Sequence, residues 1–194
     1  LILAEDTRTS GKSLKHFEQY NKGLLILPCG VGKTLSSLCI TQSLKSNTIL
    51  IGVPSKLLLE QWVKEIPKIF GNLPCLKVSG NIDKIQIVDF IKKNLNLCVV
   101  ITTYASSYKV SHATTSINFK FDMKINDEVH HLTSDNMKLN NTKKYVQMLN
   151  ISSVKQLSLT ATLKQIESTC NDDDIVVSND NIKYFGEIID KKGL

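Results

Sequence analysis

A lysine and a threonine placed directly after two glycines, in the run Leu27-Pro28-Cys29-Gly30-Val31-Gly32-Lys33-Thr34, are residue types that can grip the phosphates of a nucleotide. The run follows an apolar segment that reads as a strand and opens a segment that reads as a helix. At a helix N-terminus the backbone N–H groups are unpaired and the dipole is positive, so Gly30 and Gly32 let the chain wrap closely around a phosphate. Lys33 would then reach the β and γ phosphates of ATP, and the Thr34 hydroxyl would coordinate Mg2+. Leu27 stands where the strict form of this loop has glycine, so the loop is a variant. Taken by itself, the run can also be read as a Gly-rich turn with an incidental lysine.

A second cluster is Asp127-Glu128-Val129-His130-His131, at the end of the apolar segment Phe119 to Asp127. Two carboxylates at a strand's C-terminal end lie where a parallel sheet presents its ligands. Asp127 can hold Mg2+ through water, and Glu128 can orient and deprotonate the water that attacks a γ-phosphate. Adjacent histidines do not share a helical face and no cysteine lies close in sequence, which disfavours a zinc site. His130 is instead expected to hydrogen-bond near the γ-phosphate. A third cluster, Ser158-Leu159-Thr160-Ala161-Thr162, puts small hydroxyls at another strand tip, where they can reach a histidine or carboxylate on the neighbouring strand; a plain strand-end turn would look the same.

These groups need a scaffold, and the sequence supplies one. Gly23 to Pro28, Asn47 to Val53, Pro74 to Val78, Leu97 to Thr103, Phe119 to Asp127 and Lys155 to Thr160 read as strands, several apolar on both faces, as in a buried parallel sheet. Helical patterns alternate with them at Lys33 to Leu44, from a cap at Ser55, at Lys84 to Lys93 and at Asn141 to Leu149. Pro67 is expected to end or kink the helix that Ser55 caps. Trp62 falls on that helix's apolar face and reads as core. Ala105 to Asn118 reads as the one long irregular stretch. The order predicts an α/β fold, a mostly parallel sheet with helices on both faces.

With 194 residues and 42% hydrophobic content, the chain can bury a single core. No apolar run approaches the roughly 20 residues of a membrane-spanning helix, so no membrane partner is expected. Cys29, Cys39, Cys75, Cys98 and Cys170 lack metal-ligand spacing and read as reduced thiols of an intracellular protein. The net charge is +6, which suits a polyanionic partner, and every basic side chain is lysine except Arg8. That bias matters because phosphoryl-transfer catalysis often requires an arginine.

Taken in order, LPCGVGKT, VPSKLLLEQW, VVITTY, DEVHH and SLTAT resemble the motor core of superfamily-2 helicases. The similarity is greatest to the branch of DNA-repair helicases, type I and III restriction subunits and large-DNA-virus helicases. The resemblance implies a RecA-like P-loop ATPase domain over residues 22–194, acting on nucleic acid, with DNA favoured over RNA. It assigns Gly30, Gly32, Lys33 and Thr34, within the loop from Pro28, to motif I, and Asp127, Glu128, Val129 and His130 to the DEAH-like motif II. Thr160, Ala161 and Thr162 match motif III, which couples nucleotide state to strand movement. Pro54 and Ser55 match motif Ia, and Thr102, Thr103 and Tyr104 match the Ib region, both of which contact the nucleic-acid backbone. The helix start at Ser55 and the hydroxyls of Thr102 and Thr103 are suitable phosphate donors on physical grounds too.

The sequence departs from the pattern in three places. Gln19 lies too close to Lys33 to serve as the family's adenine-reading glutamine, Asn126 occupies a position that is usually apolar, and the chain ends at Leu194, ahead of motifs IV to VI. A second RecA-like domain, with its arginine fingers, is therefore expected to be missing, and the chain by itself to be inactive in turnover. Residues 1–21 form a separate segment. Leu1 to Glu18 resembles a stretch of ribosomal-RNA methyltransferases of the tetrapyrrole-methylase fold, or is a helical lead-in to the domain. The alternatives to a helicase half are a P-loop ATPase of another class and a non-catalytic nucleic-acid-binding module.

Overall fold

The strands TILIGV (β2, Thr48–Val53) and CVVITT (β4, Cys98–Thr103) are buried at every position, which requires cover on both faces. In the structure, a computed structural model, residues 2–28, 30, 32–133, 142–163 and 181–191 are described, with the side chains of 2–7 and 142–144 excepted. Cys29, Val31 and Cys170 lie outside that set. The other strands are β1 (Lys22–Ile26), β3 (Cys75–Val78), β5 (Phe121–Asn126), β6 (Ser153–Thr160) and β7 (Glu187–Lys191). Among the described residues they form one seven-stranded sheet in the order β3-β4-β2-β5-β6-β1-β7, and every pairing is parallel.

Helices α1 (Ile2–Gln19), α2 (Lys33–Ser43) and α3 (Lys56–Phe70) cover one face. Their Phe17, Leu38, Leu59, Trp62 and Ile66 pack on Ile49, Ile51, Met123, Ile125 and Leu157 of the sheet. Helices α4 (Lys84–Lys93), α5 (Ser107–Ser116) and α6 (Thr142–Asn150) cover the other, with Ile87, Ile91, Val110, Ala113 and Met148 against Leu50 and Val100. A single turn, α7 (Ile182–Phe185), buries Phe185 in the same cluster. No helix among the described residues is long and apolar enough to cross a membrane.

Two expectations are corrected. Helix α3 runs through Pro67 to Phe70 and stops at Gly71, whose N–H bonds to the Pro67 carbonyl. In the last turn the proline removes only one hydrogen bond, while Trp62 and Ile66 anchor the helix from the core. The stretch Ala105 to Asn118 is not irregular: a 3₁₀ turn (Tyr104–Ser106) leads directly into α5. Its hydroxyls are satisfied by the helix itself, Thr114 donating to the Val110 carbonyl and Ser116 to that of Ala113, while Val110 and Ala113 supply the buried stripe.

Strand β7 has no counterpart in the sequence reading. It docks beside β1 because Gly23 has no side chain; a Cβ there would stand 2.3 Å from the Ile189 side chain. Helix α1 packs across this end. Phe17 enters the core, and Asp190 of β7 accepts hydrogen bonds from Lys12 at 2.5 Å and Thr9 at 3.3 Å.

Candidate nucleotide site

Because the sheet is parallel, the C-terminal ends of β1, β2, β4, β5 and β6 emerge along one edge, and every chemical cluster in the sequence lies on that edge. Strand β6 separates β1 from β5, with Ile26 opposite Thr160 and Asn126 opposite Ser158. The loop after β1 therefore faces Glu128 across the tip of β6.

After β1 the chain is held by the Leu27 N–H, which donates to the Thr160 carbonyl at 2.9 Å. Gly30 and Gly32 follow in the left-handed region, at φ 83° and 80°, a conformation that a side chain disfavours. Gly32 is the N-cap of α2, with no side-chain cap and no acidic residue in the first turn, so the helix's positive end is left to an anion. Lys33 opens the helix and donates to Glu128 Oε1 at 2.6 Å.

Glu128 itself takes left-handed backbone angles, φ 51° and ψ 54°, a conformation that costs a residue with a Cβ roughly 1–2 kcal/mol. The chain thereby turns out of β5 straight into a one-turn 3₁₀ helix, Val129–Leu132. The turn is closed by the His131 N–H to the Glu128 carbonyl at 3.0 Å and by the Thr133 hydroxyl to the His130 carbonyl at 2.8 Å. His130 Nδ1 consequently sits 3.3 Å from Glu128 Oε2 and 3.4 Å from Thr160 Oγ1. The Thr160 hydroxyl hydrogen goes to the Thr162 carbonyl at 2.8 Å, so a protonated Nδ1 is the form that fits this position.

The two carboxylates are adjacent in sequence and opposite in environment. His130, with Nδ1 3.3 Å from Oε2, and Lys33 together hold the Glu128 carboxyl down to about 2 against the opposing effect of burial. Burial raises Asp127 above the usual carboxylate range, and the hydrogen bond from Trp62 partly offsets this. Asp127 is 4% exposed; Trp62 Nε1 donates to its Oδ2 at 2.8 Å, and the Tyr104 hydroxyl donates to its main-chain carbonyl. Trp62 thus belongs to the site as well as to the core. Nothing in the sequence pairs an indole with a carboxylate 65 positions away. The donor set of Asp127 and the Thr34 hydroxyl is hard oxygen, of the kind that Mg2+ takes while keeping several waters.

The remaining candidates stand elsewhere on the edge. Ser55 is exposed and caps α3, its hydroxyl accepting from the Leu58 N–H at 3.3 Å, with half-buried Pro54 beside it. Thr102 is fully buried, and its hydroxyl contacts the Val78 carbonyl at 3.2 Å and the Thr103 carbonyl at 3.1 Å, so it faces inward rather than towards a ligand. Thr103 is 6% exposed. Ala161 is half-buried and Thr162 exposed. Asn126 is fully buried, and neither of its side-chain polar atoms has a hydrogen-bond partner among the described residues.

The sequence model of the type III restriction enzyme res subunit matches residues 4–165. A DNA 3'-5' translocase, XPB2 of Sulfurisphaera tokodaii, is 30% identical over 124 residues, which are 64% of this chain and 25% of the translocase. The ATP-dependent type ISP restriction-modification enzyme LlaBIII, solved bound to DNA, superposes with a TM-score of 0.79 at 23% identity, over 97% of this chain and 15% of the enzyme. The UvsW helicase of bacteriophage T4 superposes with a TM-score of 0.58 at 22% identity, over 87% of this chain and 54% of the helicase. The two superpositions show a shared fold. The chain spans about a quarter of the length of its curated relative.

Proposed function

The chain belongs to the family of the type III restriction enzyme res subunit and is a RecA-like domain of the superfamily-2 helicase type, and from this we propose that it is the ATP-binding half of a motor that couples ATP hydrolysis to movement on DNA. The observation that carries the proposal is the chain of contacts Lys33–Glu128–His130–Thr160, which joins the phosphate loop to motifs II and III across three strand tips. DNA is favoured as the track because XPB2 is a DNA translocase and LlaBIII was solved on DNA. An intracellular setting follows from that partner.

The geometry suggests how the half-site works. Lys33 is held by Glu128, and a carboxyl kept at about 2 by His130 and Lys33 is a poor base. An arriving triphosphate settles on the loop at Gly30 and Gly32 and draws Lys33 to its β and γ oxygens. Losing that cation raises the proton affinity of Glu128, which favours its action as a base towards water while substrate is bound. Thr34 and Asp127 would hold Mg2+, whose charge offsets that of the β and γ phosphates. His130 and Thr160 report the change to the tip of β6. Ser55, Pro54 and the segment after β4 serve as the strand-contacting side.

Helix α1 is an integral part of the ATP-binding domain in this reading, on the strength of Phe17 in the core and the tie from Lys12 and Thr9 to Asp190. The chain carries one arginine, Arg8, so a second RecA-like domain supplies the arginine that stabilises the transition state. Steady-state phosphate release tests this, measured on the 194-residue chain and on a polypeptide extended by that second domain, each with and without DNA. The chain alone should bind Mg·ATP with negligible turnover, and the extended polypeptide should show DNA-stimulated turnover. Robust DNA-stimulated release by the chain alone would contradict the half-motor reading.

A further inference from the structure

Asp127 is gripped from two directions, and both grips come from elements that are not part of the phosphate loop. Trp62, on α3, donates its indole N–H to Oδ2 at 2.8 Å, while Tyr104, directly after β4, donates its hydroxyl to the Asp127 main-chain carbonyl. Trp62 is 1% exposed and Tyr104 fully buried, so neither donor is in competition with bulk water. Gly52 makes room for the second grip: a Cβ there would come within 3.0 Å of the Tyr104 ring and 2.5 Å of Met148.

From this geometry we infer that Trp62 is a positioning residue: its indole N–H fixes the orientation of the Asp127 carboxylate and ties that carboxylate to helix α3. The inference rests on the assignment of Asp127 as the Mg2+-ordering group. Packing alone does not require tryptophan at this position. Phenylalanine or leucine could fill apolar space against α2 and the sheet, whereas a buried indole N–H is tolerated because the carboxylate accepts it. The carboxylate needs the donor in turn, since it is almost wholly buried and its neighbour Glu128 carries a like charge. With Oδ2 held by the indole, the carboxylate can rotate only by breaking that bond. The link also has a direction. Trp62 lies two turns, about 10 Å, along a continuous helix from the exposed cap at Ser55, so a shift of that helix end is transmitted as a rigid displacement to Oδ2.

Trp62 is the chain's single tryptophan, which makes its emission a reporter of this one position. The test uses the 194-residue chain and its Trp62→Phe and Asp127→Asn variants, with a fluorescent ATP analogue titrated in EDTA and then in rising Mg2+. Trp62→Phe should raise the Mg2+ concentration for half-maximal effect by about tenfold, as expected when a metal-ordering carboxylate loses its orienting hydrogen bond. Its affinity for the analogue in EDTA should remain that of the parent. A purely structural tryptophan would shift both or neither, and either result overturns the inference. If the phenylalanine variant does not fold, the parent's own emission decides. It should shift when Mg2+ is added to the ATP-saturated chain and not in Asp127→Asn; emission indifferent to Mg2+ in the parent overturns the inference. An Asp127→Asn chain with parental Mg2+ dependence would remove the metal assignment and the inference with it. Loss of that dependence in Asp127→Asn but not in Trp62→Phe would remove the role of Trp62 alone.

Discussion

Two lysines are withdrawn from solvent at opposite ends of the same sheet, and they are satisfied in different ways. Lys33, at the C-terminal edge, pairs with a side-chain carboxylate that stands on a strained residue and is itself shared with a histidine. Lys124, in β5, is 2% exposed and points to the end of α6, where its ammonium donates to the carbonyls of Ile151 at 2.8 Å and of Met148 and Leu149 at 3.3 Å. Burial, with the nearby charge of Lys22, pushes Lys124 down to about 7. A side-chain partner can be exchanged for a phosphate without disturbing the backbone, whereas carbonyls at a helix end cannot leave. The first arrangement therefore suits function and the second suits architecture.

The largest effect that would sharpen this contrast is expected at Glu128. In a polypeptide carrying the second domain, Glu128→Gln should lower turnover by about two orders of magnitude through loss of the base. Nucleotide affinity should not fall, and should rise about fivefold, because Lys33 no longer leaves an ion pair worth ~1 kcal/mol. Single-turnover kinetics beside equilibrium titration separates the two. Equal turnover in variant and parent would break the assignment.

Lys124→Met probes the other end. A lysine that is harder to protonate in the folded state than in the unfolded chain makes stability rise with pH between the two values. The parent should thus gain stability relative to the variant from about pH 7 to about 10.5, and the difference should be flat below pH 7. The slope is at most about 1.4 kcal/mol per pH unit. Urea melts across that range read it, and nucleotide affinity should stay parental.

How much of this contrast the sequence disclosed depended on the distance over which each feature is encoded. Strands β1 to β6 and the phosphate loop are local patterns, apolar runs and, after the first of them, glycines and a lysine, and they fall within a few residues of where the structure has them. Helix α5 was hidden because Ser107 to Ser116 is rich in serine and threonine, and it is helical by virtue of packing on α4 and α6. Strand β7 was hidden because Glu187 to Lys191 is short and charged, and it depends on Gly23, far away in the chain. Motif II was visible as residue types, but the left-handed turn at Glu128 that aims it, and the Trp62 bond that braces it, are tertiary facts. Lys124 reads in the sequence as one more basic residue of a +6 chain.

The smallest expected effect lies at the junction with β6. Thr160→Val removes one neutral contact to His130, 3.4 Å away, and should leave nucleotide affinity unchanged. DNA-stimulated turnover of the extended polypeptide should fall about fivefold, the equivalent of ~1 kcal/mol. A loss of nucleotide binding in this variant would show that Thr160 acts on the phosphates and not through His130.

The central claim, that Lys33 exchanges Glu128 for phosphate, is tested most directly by calorimetric titration of the 194-residue chain and its Lys33→Ala variant with Mg2+ and a non-hydrolysable ATP analogue. The parent should bind one nucleotide per chain. The variant, with an unchanged thermal unfolding midpoint, should lose affinity by about 10²-fold or more, since it forfeits charge-assisted hydrogen bonds to two phosphates. A folded Lys33→Ala chain that binds the analogue as tightly as the parent would contradict the account.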